Sequence, residues 1–153
     1  SIAEAVRIVC PDLFGPSSPR AAAREVKIDQ LGGGLSNHLF VVSTLDDAPA
    51  PTVLVRVHGE DDDGGDDGVG GFVDRDFENR VLAHLSHLGL APAFHGRFLN
   101  GRVEEFYRGY RPLTHAEMGD ARYAGGVADA MAALHRLAIP GEVLGERRRD
   151  GNG

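Results

Sequence analysis

Residues 26–58 read VKIDQLGGGLSNHLFVVSTLDDAPAPTVLVRVH, and the fold is decided there. Val26 to Leu31 has the pattern of a strand and runs into Gly32-Gly33-Gly34. Leu39 to Leu45 is a second apolar stretch, rich in the β-branched and aromatic residues that suit a pleated surface. Asp46 to Pro51 has turn composition, and Thr52 to His58 is a third strand. Connections this short cannot cross over to a parallel neighbour, so the three strands are expected to form an antiparallel meander.

Outward from that core, Glu60 to Gly71 is almost entirely Asp and Gly and is expected to be a solvated loop. It fails the calcium-loop pattern, because no glutamate closes it at about the twelfth position. From Asp74 to Leu88 the residues Phe77, Val81, Leu82, Leu85 and Leu88 mark a helical face. Gly89 stands where a left-handed cap belongs, with Pro92 beyond it. Phe94 to Leu99 and Arg102 to Tyr107 flank Asn100-Gly101, the dipeptide of a tight hairpin turn. Arg108 to Thr114 is a connector, and Arg122 to Leu137 a second long helix with Tyr123, Val127, Met131 and Leu134 on one face. At the front, Ser1 and Glu4 match a capping box for a short helix, which Pro11 is expected to stop; residues 11–24 read as a linker. The sum is an α+β fold: a five-stranded antiparallel sheet with one helix inserted after the third strand.

The chain has 153 residues, room for one compact domain with a real core. A formal net charge of −7 excludes general affinity for nucleic-acid backbones. No apolar run reaches membrane-spanning length, and no charged-then-apolar leader opens the chain. Cys10 is the only cysteine, so neither an intrachain disulfide nor a cysteine zinc site can form. A cytoplasmic protein is expected. The polar residues 141–153 are expected to be a disordered tail.

Three features carry chemistry. Glycines at the strand-to-strand turn let backbone N–H groups approach phosphate oxygens, since no Cβ intervenes. No lysine or helix follows, so this is neither a Walker loop nor a dinucleotide fingerprint; by itself it equally suits a flexible hairpin tip. Arg56 is a lone charge in an apolar strand and needs a partner or a ligand, unless it faces water from an edge. Leu54 shares its face by alternation, so one residue can cover a base while the other reaches phosphates. Glu78 lies beside the apolar stripe of its helix, where it is expected to reach Arg56; it also suits a solvated first turn with Asp74 and Asp76.

Together these stretches resemble the choline/ethanolamine kinase family. Gly33-Gly34-Leu35-Ser36-Asn37 is similar to its nucleotide loop, and Leu54-Val55-Arg56-Val57-His58-Gly59 to its third strand, with arginine where most kinases carry lysine. Asp74-Arg75-Asp76 resembles the start of its helix. Leu88-Gly89-Leu90-Ala91-Pro92 and Asn100 through Phe106 resemble its run into the hinge, and Arg111-Pro112-Leu113-Thr114 the start of its large lobe. The match spans residues 26–138 in the family's order. It implies a protein-kinase-like small lobe and ATP-dependent phosphorylation of the hydroxyl of ethanolamine or choline in phospholipid synthesis, with Mg²⁺. Arg56 and Arg75 would contact nucleotide phosphates, Glu78 would orient Arg56, and Leu54 would lie over the adenine. Ser36 and Asn37 would shape the loop, and backbone groups around Glu105, Phe106 and Tyr107 would bind adenine. The implied layout is an N-terminal helix and linker (1–25), a nucleotide-binding lobe (26–108), the hinge and start of a large lobe (109–140), and the tail.

The same resemblance implies catalytic and metal-binding aspartates that have no match here. None of the seven histidines is followed two residues later by Asp. Asp76-Phe77-Glu78 spells the metal motif by letter but lies on a helix ahead of the hinge, a coincidence. The expectation is a chain cut off before its catalytic residues and inactive alone. The alternative is a non-catalytic module that binds nucleotide or a protein partner; an aminoglycoside-kinase relative would usually keep lysine at the position of Arg56. His84 and His87 have no third partner for a metal, and His135 suits the end of its helix. Leu35-Ser36-Asn37 is closer to the choline branch, whereas Val73 to Asp76 and Val53 to Val57 are closer to the ethanolamine branch, which is slightly favoured.

Overall fold

The computed structural model describes residues 1–15, 25–32, 37–45, 51–59 and 74–145. The glycine run 33–36, the acidic stretch 60–73 and, of the expected tail 141–153, residues 146–153 lie outside the described residues, whereas 141–144 are helical. The chain divides into two compact units, Ser1–Phe106 and Tyr107–Gly153.

The first unit opens with α1 (Ile2–Val9), held by the expected capping box: the Glu4 N–H donates to Ser1 Oγ at 3.3 Å, and the Glu4 carboxylate accepts from the Ser1 amine at 3.4 Å. Pro11 does not begin a linker. It is the first residue of a second helical turn, α2 (Pro11–Phe14), a position that needs no N–H and suits its fixed φ. Val6, Cys10 and Phe14 thus continue one apolar face across both helices, and all three are buried. Burial in apolar surroundings pushes the Cys10 thiol up to about 11.

Five strands follow: β1 (Val26–Leu31), β2 (Asn37–Thr44), β3 (Thr52–His58), β4 (Phe94–Phe98) and β5 (Gly101–Glu105). They form one sheet in the order β1-β2-β3-β5-β4, every pair antiparallel. Strand alternation gives the sheet two unlike faces. Val42, Val53, Val55 and Val103 point one way, are completely buried, and cluster with Val6, Cys10 and Phe14. Each such side chain contributes roughly 1.5–3 kcal/mol of transfer free energy. A bulge between Phe94 and Gly96 lets β4 fit under α1. Gly96 has φ +153°, and a Cβ there would sit 2.9 Å from Val9 Cγ1.

The other face carries the charge and meets α3 (Arg75–His87). Asp74 caps α3 by accepting from the Phe77 N–H at 2.9 Å. Gly89, at φ +71°, ends it in a Schellman motif: its N–H donates to Ser86 O at 3.0 Å and the Leu90 N–H to Leu85 O at 2.9 Å. The inward side of α3 differs from the apolar stripe expected of it. Phe77 and Leu88 are exposed, Val81, Leu82 and Leu85 are half-buried, and the one buried residue among the described ones is Asn79. The reason lies opposite: the sheet presents Arg102 there, and an amide satisfies it where a phenyl ring could not.

In the second unit, α4 (His115–Met118) has a capping box between Thr114 and Glu117. Arg111 grips Glu117 with two hydrogen bonds of 2.7 Å. That contact, with bonds from the Thr114 backbone and hydroxyl, holds the Glu117 carboxyl down at about 2. Asp120 caps α5 (Ala121–His135), and α6 (Gly141–Leu144) follows. Val127, Met131 and Leu134 of α5 are 46%, 53% and 47% exposed, so the apolar stripe read from the sequence stays uncovered.

Candidate functional site

On the charged face, cross-strand pairing lines residues up in rows. Leu31, Leu39, Arg56, Arg102 and Arg97 make one row, and Asp29, Val41, Leu54, Glu104 and Phe94 the next. The β1–β2–β3 side is therefore a platform of Leu31, Leu39, Val41 and Leu54, all at least partly exposed. The β3–β5–β4 side is a strip of cations. An apolar platform beside guanidinium groups offers stacking area for a flat ring next to charge for an anion.

Leu54 and Arg56 share this face as alternation required. The partner of Arg56 is not the expected one. Arg56 Nε donates to Glu104 Oε1 at 3.1 Å; Glu78 instead binds Arg75 at 2.8 Å and Arg102 at 2.9 Å. Register explains the exchange. Arg56 lies directly across from Arg102, and Leu54 across from Glu104, so the nearest carboxylate to Arg56 is its diagonal neighbour on β5. Arg102 and Glu104 are 7% and 4% exposed at their side chains, with Arg102 Nε 3.7 Å from Glu104 Oε2, a charge contact rather than a hydrogen bond. The Arg102 guanidinium also donates to Asn79 Oδ1 at 3.4 Å. The result is one alternating chain, Arg75–Glu78–Arg102–Glu104–Arg56, running from α3 across β5 to β3.

Arg56 is 25% exposed and, among the described residues, is held through Nε alone, its two terminal nitrogens having no partner there. A guanidinium fixed at one edge and open at the other is ready for bidentate contact with a phosphate. Arg75 lies on the wall of a cavity of about 470 Å³ with His58, Gly59, Asn79, Arg97 and Gly101. His58 Nδ1 lies 2.9 Å from Asn37 Oδ1, tying the first residue of β2 to the last of β3. Burial, and then the Arg75 and Arg102 charges, hold the His58 pKa below its ordinary value despite Glu78. For Glu78, burial pushes upward, but the hydrogen bonds from Arg75 and Arg102 outweigh it and the net shift is down.

The remaining expected residues are less gathered. Gly33, Gly34, Leu35 and Ser36 lie outside the described residues. The Glu105 N–H donates to Ala93 O at 2.8 Å within the sheet, while its carboxylate accepts from the Ala93 N–H at 3.1 Å. Phe106 is half-buried at the end of the first unit. Tyr107 is exposed in the second unit and packs on Tyr110 with ring centroids 5.5 Å apart. Asp76 is paired with Arg97. The sequence reading missed Asn79, Arg102 and Glu104. For Arg102 and Glu104 the signal was present: alternate charges in Gly101-Arg102-Val103-Glu104-Glu105, on a strand expected to lie in the sheet.

The profile of the choline/ethanolamine kinase family matches residues 28–148. The chain belongs to the choline/ethanolamine kinase family. It is 34% identical over 121 residues to a probable choline kinase of Arabidopsis thaliana, covering 78% of this chain and 32% of that one. It is 32% identical over 136 residues to a choline/ethanolamine kinase of Rattus norvegicus, covering 86% and 32%. Among solved structures, a choline kinase from Cryptosporidium parvum superposes with a TM-score of 0.63 at 27% identity, covering 96% of this chain and 36% of the other. The chain thus spans about a third of the length of these relatives. The fold is protein-kinase-like, and its five-stranded antiparallel sheet is the one expected from the sequence.

Proposed function

We propose that this chain carries the nucleotide-binding part of an ATP-dependent kinase that phosphorylates the hydroxyl of ethanolamine or choline. One observation carries the reading: Arg56 is anchored through Nε on the buried Glu104, its terminal nitrogens without a partner among the described residues, beside the Leu31, Leu39, Val41 and Leu54 platform. The platform would hold the adenine ring, and Arg56 and Arg75 would neutralise the polyphosphate. In the reaction the alcohol oxygen attacks the γ-phosphorus and gives up its proton to a base, the bond to the bridging oxygen breaks, and ADP leaves. Arginines that meet the phosphates stabilise charge as it shifts onto the leaving group.

Mg²⁺ accompanies ATP in such transfers, but the described residues do not fit it. Glu78 and Glu104 are committed to arginines, and among the described residues no group of three His, Cys, Asp or Glu could hold a metal ion. Nor does a described carboxylate stand free on the platform to orient an alcohol. The metal ligands, the base and the amino-alcohol pocket are assigned to residues outside the described ones, and turnover by this chain alone is not expected. No described helix is long and apolar enough to cross a membrane.

Calorimetry of ATP and of adenosine on this chain and on Arg56→Ala tests the proposal. Saturable ATP binding that weakens about tenfold or more in the variant, with adenosine little changed, is the expected result. A folded chain that binds no ATP would move the reading to a non-catalytic module, for which the uncovered stripe of α5 would be the partner surface.

A further inference from the structure

We propose that Arg102 and Glu104 are positioning residues: a buried pair on β5 that aims Arg56 and couples it to Arg75. The inference rests on the nucleotide reading above and adds what holds the grip in place. Arg56 and Arg102 stand directly opposite each other on neighbouring strands. Two like charges in that position repel, and without a carboxylate between them the more exposed Arg56 would swing off the sheet. Glu104 supplies that carboxylate, with one oxygen 3.1 Å from Arg56 Nε and the other 3.7 Å from Arg102 Nε.

Arg102 has the complementary task. It joins Glu104 to Glu78, and Glu78 holds Arg75. Arg75 and Arg56 are thereby linked through one ionic chain, whose central contact is charge to charge at 3.7 Å. Burial makes the chain of contacts stiff, because at 7% and 4% exposure the central pair has little water to exchange its bonds with. The anchor of Arg56 lies on the sheet itself, on β5.

The test is ATP and adenosine affinity of the intact chain carrying Glu104→Gln, Glu104→Asp, or Arg102→Met with Glu104→Leu. Glutamine keeps the shape and removes the charge, so ATP affinity should fall about ten- to a hundredfold while adenosine affinity stays within about twofold. Aspartate should recover part of the loss. In an Arg56→Ala background, Glu104→Gln should have little further effect on ATP, as expected of a residue that acts through Arg56. The double apolar variant guards against simple unfolding, since a buried ion pair is often replaced by apolar groups without loss of stability. Folded, it should keep adenosine binding and lose the preference for ATP. Wild-type-like ATP binding by folded Glu104→Gln or by the double variant would overturn the positioning role and leave the nucleotide reading standing. An equal loss of ATP and adenosine would assign the pair a purely structural role. If the unmodified chain binds no ATP, both readings fall together.

Discussion

Arg102→Met separates a buried charge contact from a surface one within a single hairpin. Arg102 is 7% exposed and touches Glu78 at 2.9 Å, Asn79 at 3.4 Å and Glu104 at 3.7 Å. Removing one partner of a buried pair costs about 3–5 kcal/mol, because the abandoned charge remains in a poor solvent. Here the lower end applies, about 3 kcal/mol, since Glu104 keeps Arg56 and Glu78 keeps Arg75. Its row neighbour Arg97 pairs with Asp76 at 58% and 65% exposure. Water and salt screen that pair, so Arg97→Met should cost about 1 kcal/mol or less. Urea unfolding followed by far-UV circular dichroism, at about 0.1 M and 1 M salt, measures both. The Arg97 effect should shrink toward zero at high salt, whereas the Arg102 effect should persist. Against stabilities of roughly 5–15 kcal/mol for a domain, a loss near 3 is readily resolved. Equal losses for the two variants, or a stabilised Arg102→Met, would refute the claim that the inner pair is desolvated and structurally committed.

Cys10 should be a silent reporter of the core: with its thiol raised to about 11 and buried, reaction with a disulfide reagent at pH 8 should be slow until denaturant opens the first unit. Rapid reaction in buffer would place Cys10 outside the core. The Glu117 carboxyl should titrate at about 2 by carbon NMR, and Arg111→Ala should return it toward the ordinary value of about 4.3. Because its folded pKa is depressed, the contribution of this cap is complete above the unfolded value and is lost as pH falls toward about 2, so an α4 that melts near pH 5 would contradict it. Gly96→Ala should destabilise the first unit by about 1–3 kcal/mol, from the strained φ and the clash with Val9, and Val9→Ala should relieve part of that loss. Additive effects of the two substitutions would show that the contact is not the cause.

Much of this protein could be read from its sequence, because the physics involved is local. Alternation in Thr52–His58 put Leu54 and Arg56 on one face without any knowledge of neighbours. The Ser1–Glu4 box, the Asp74 cap and the Gly89 stop each depend on a few adjacent residues, and each is in place. Pro11 was misread for a local reason too: at the first position of a helix it starts a turn instead of ending one, and the spacing of Val6, Cys10 and Phe14 already pointed that way.

The ionic partners could not be read so directly. Arg56 had several carboxylates to choose from, and choosing Glu104 over Glu78 required the register of β3 on β5, 48 residues apart in the chain. That register also set Arg102 against α3 and made Asn79, not Phe77, the inward residue of the helix. Sequence by itself determined the five strands, the three longer helices, their order and the family, since propensity, capping and periodicity act over a few residues; the short helices α2, α4 and α6 were not legible in it. Which charges are buried together was decided only by the tertiary structure, because the cost of desolvating a charge depends on what the rest of the chain brings beside it.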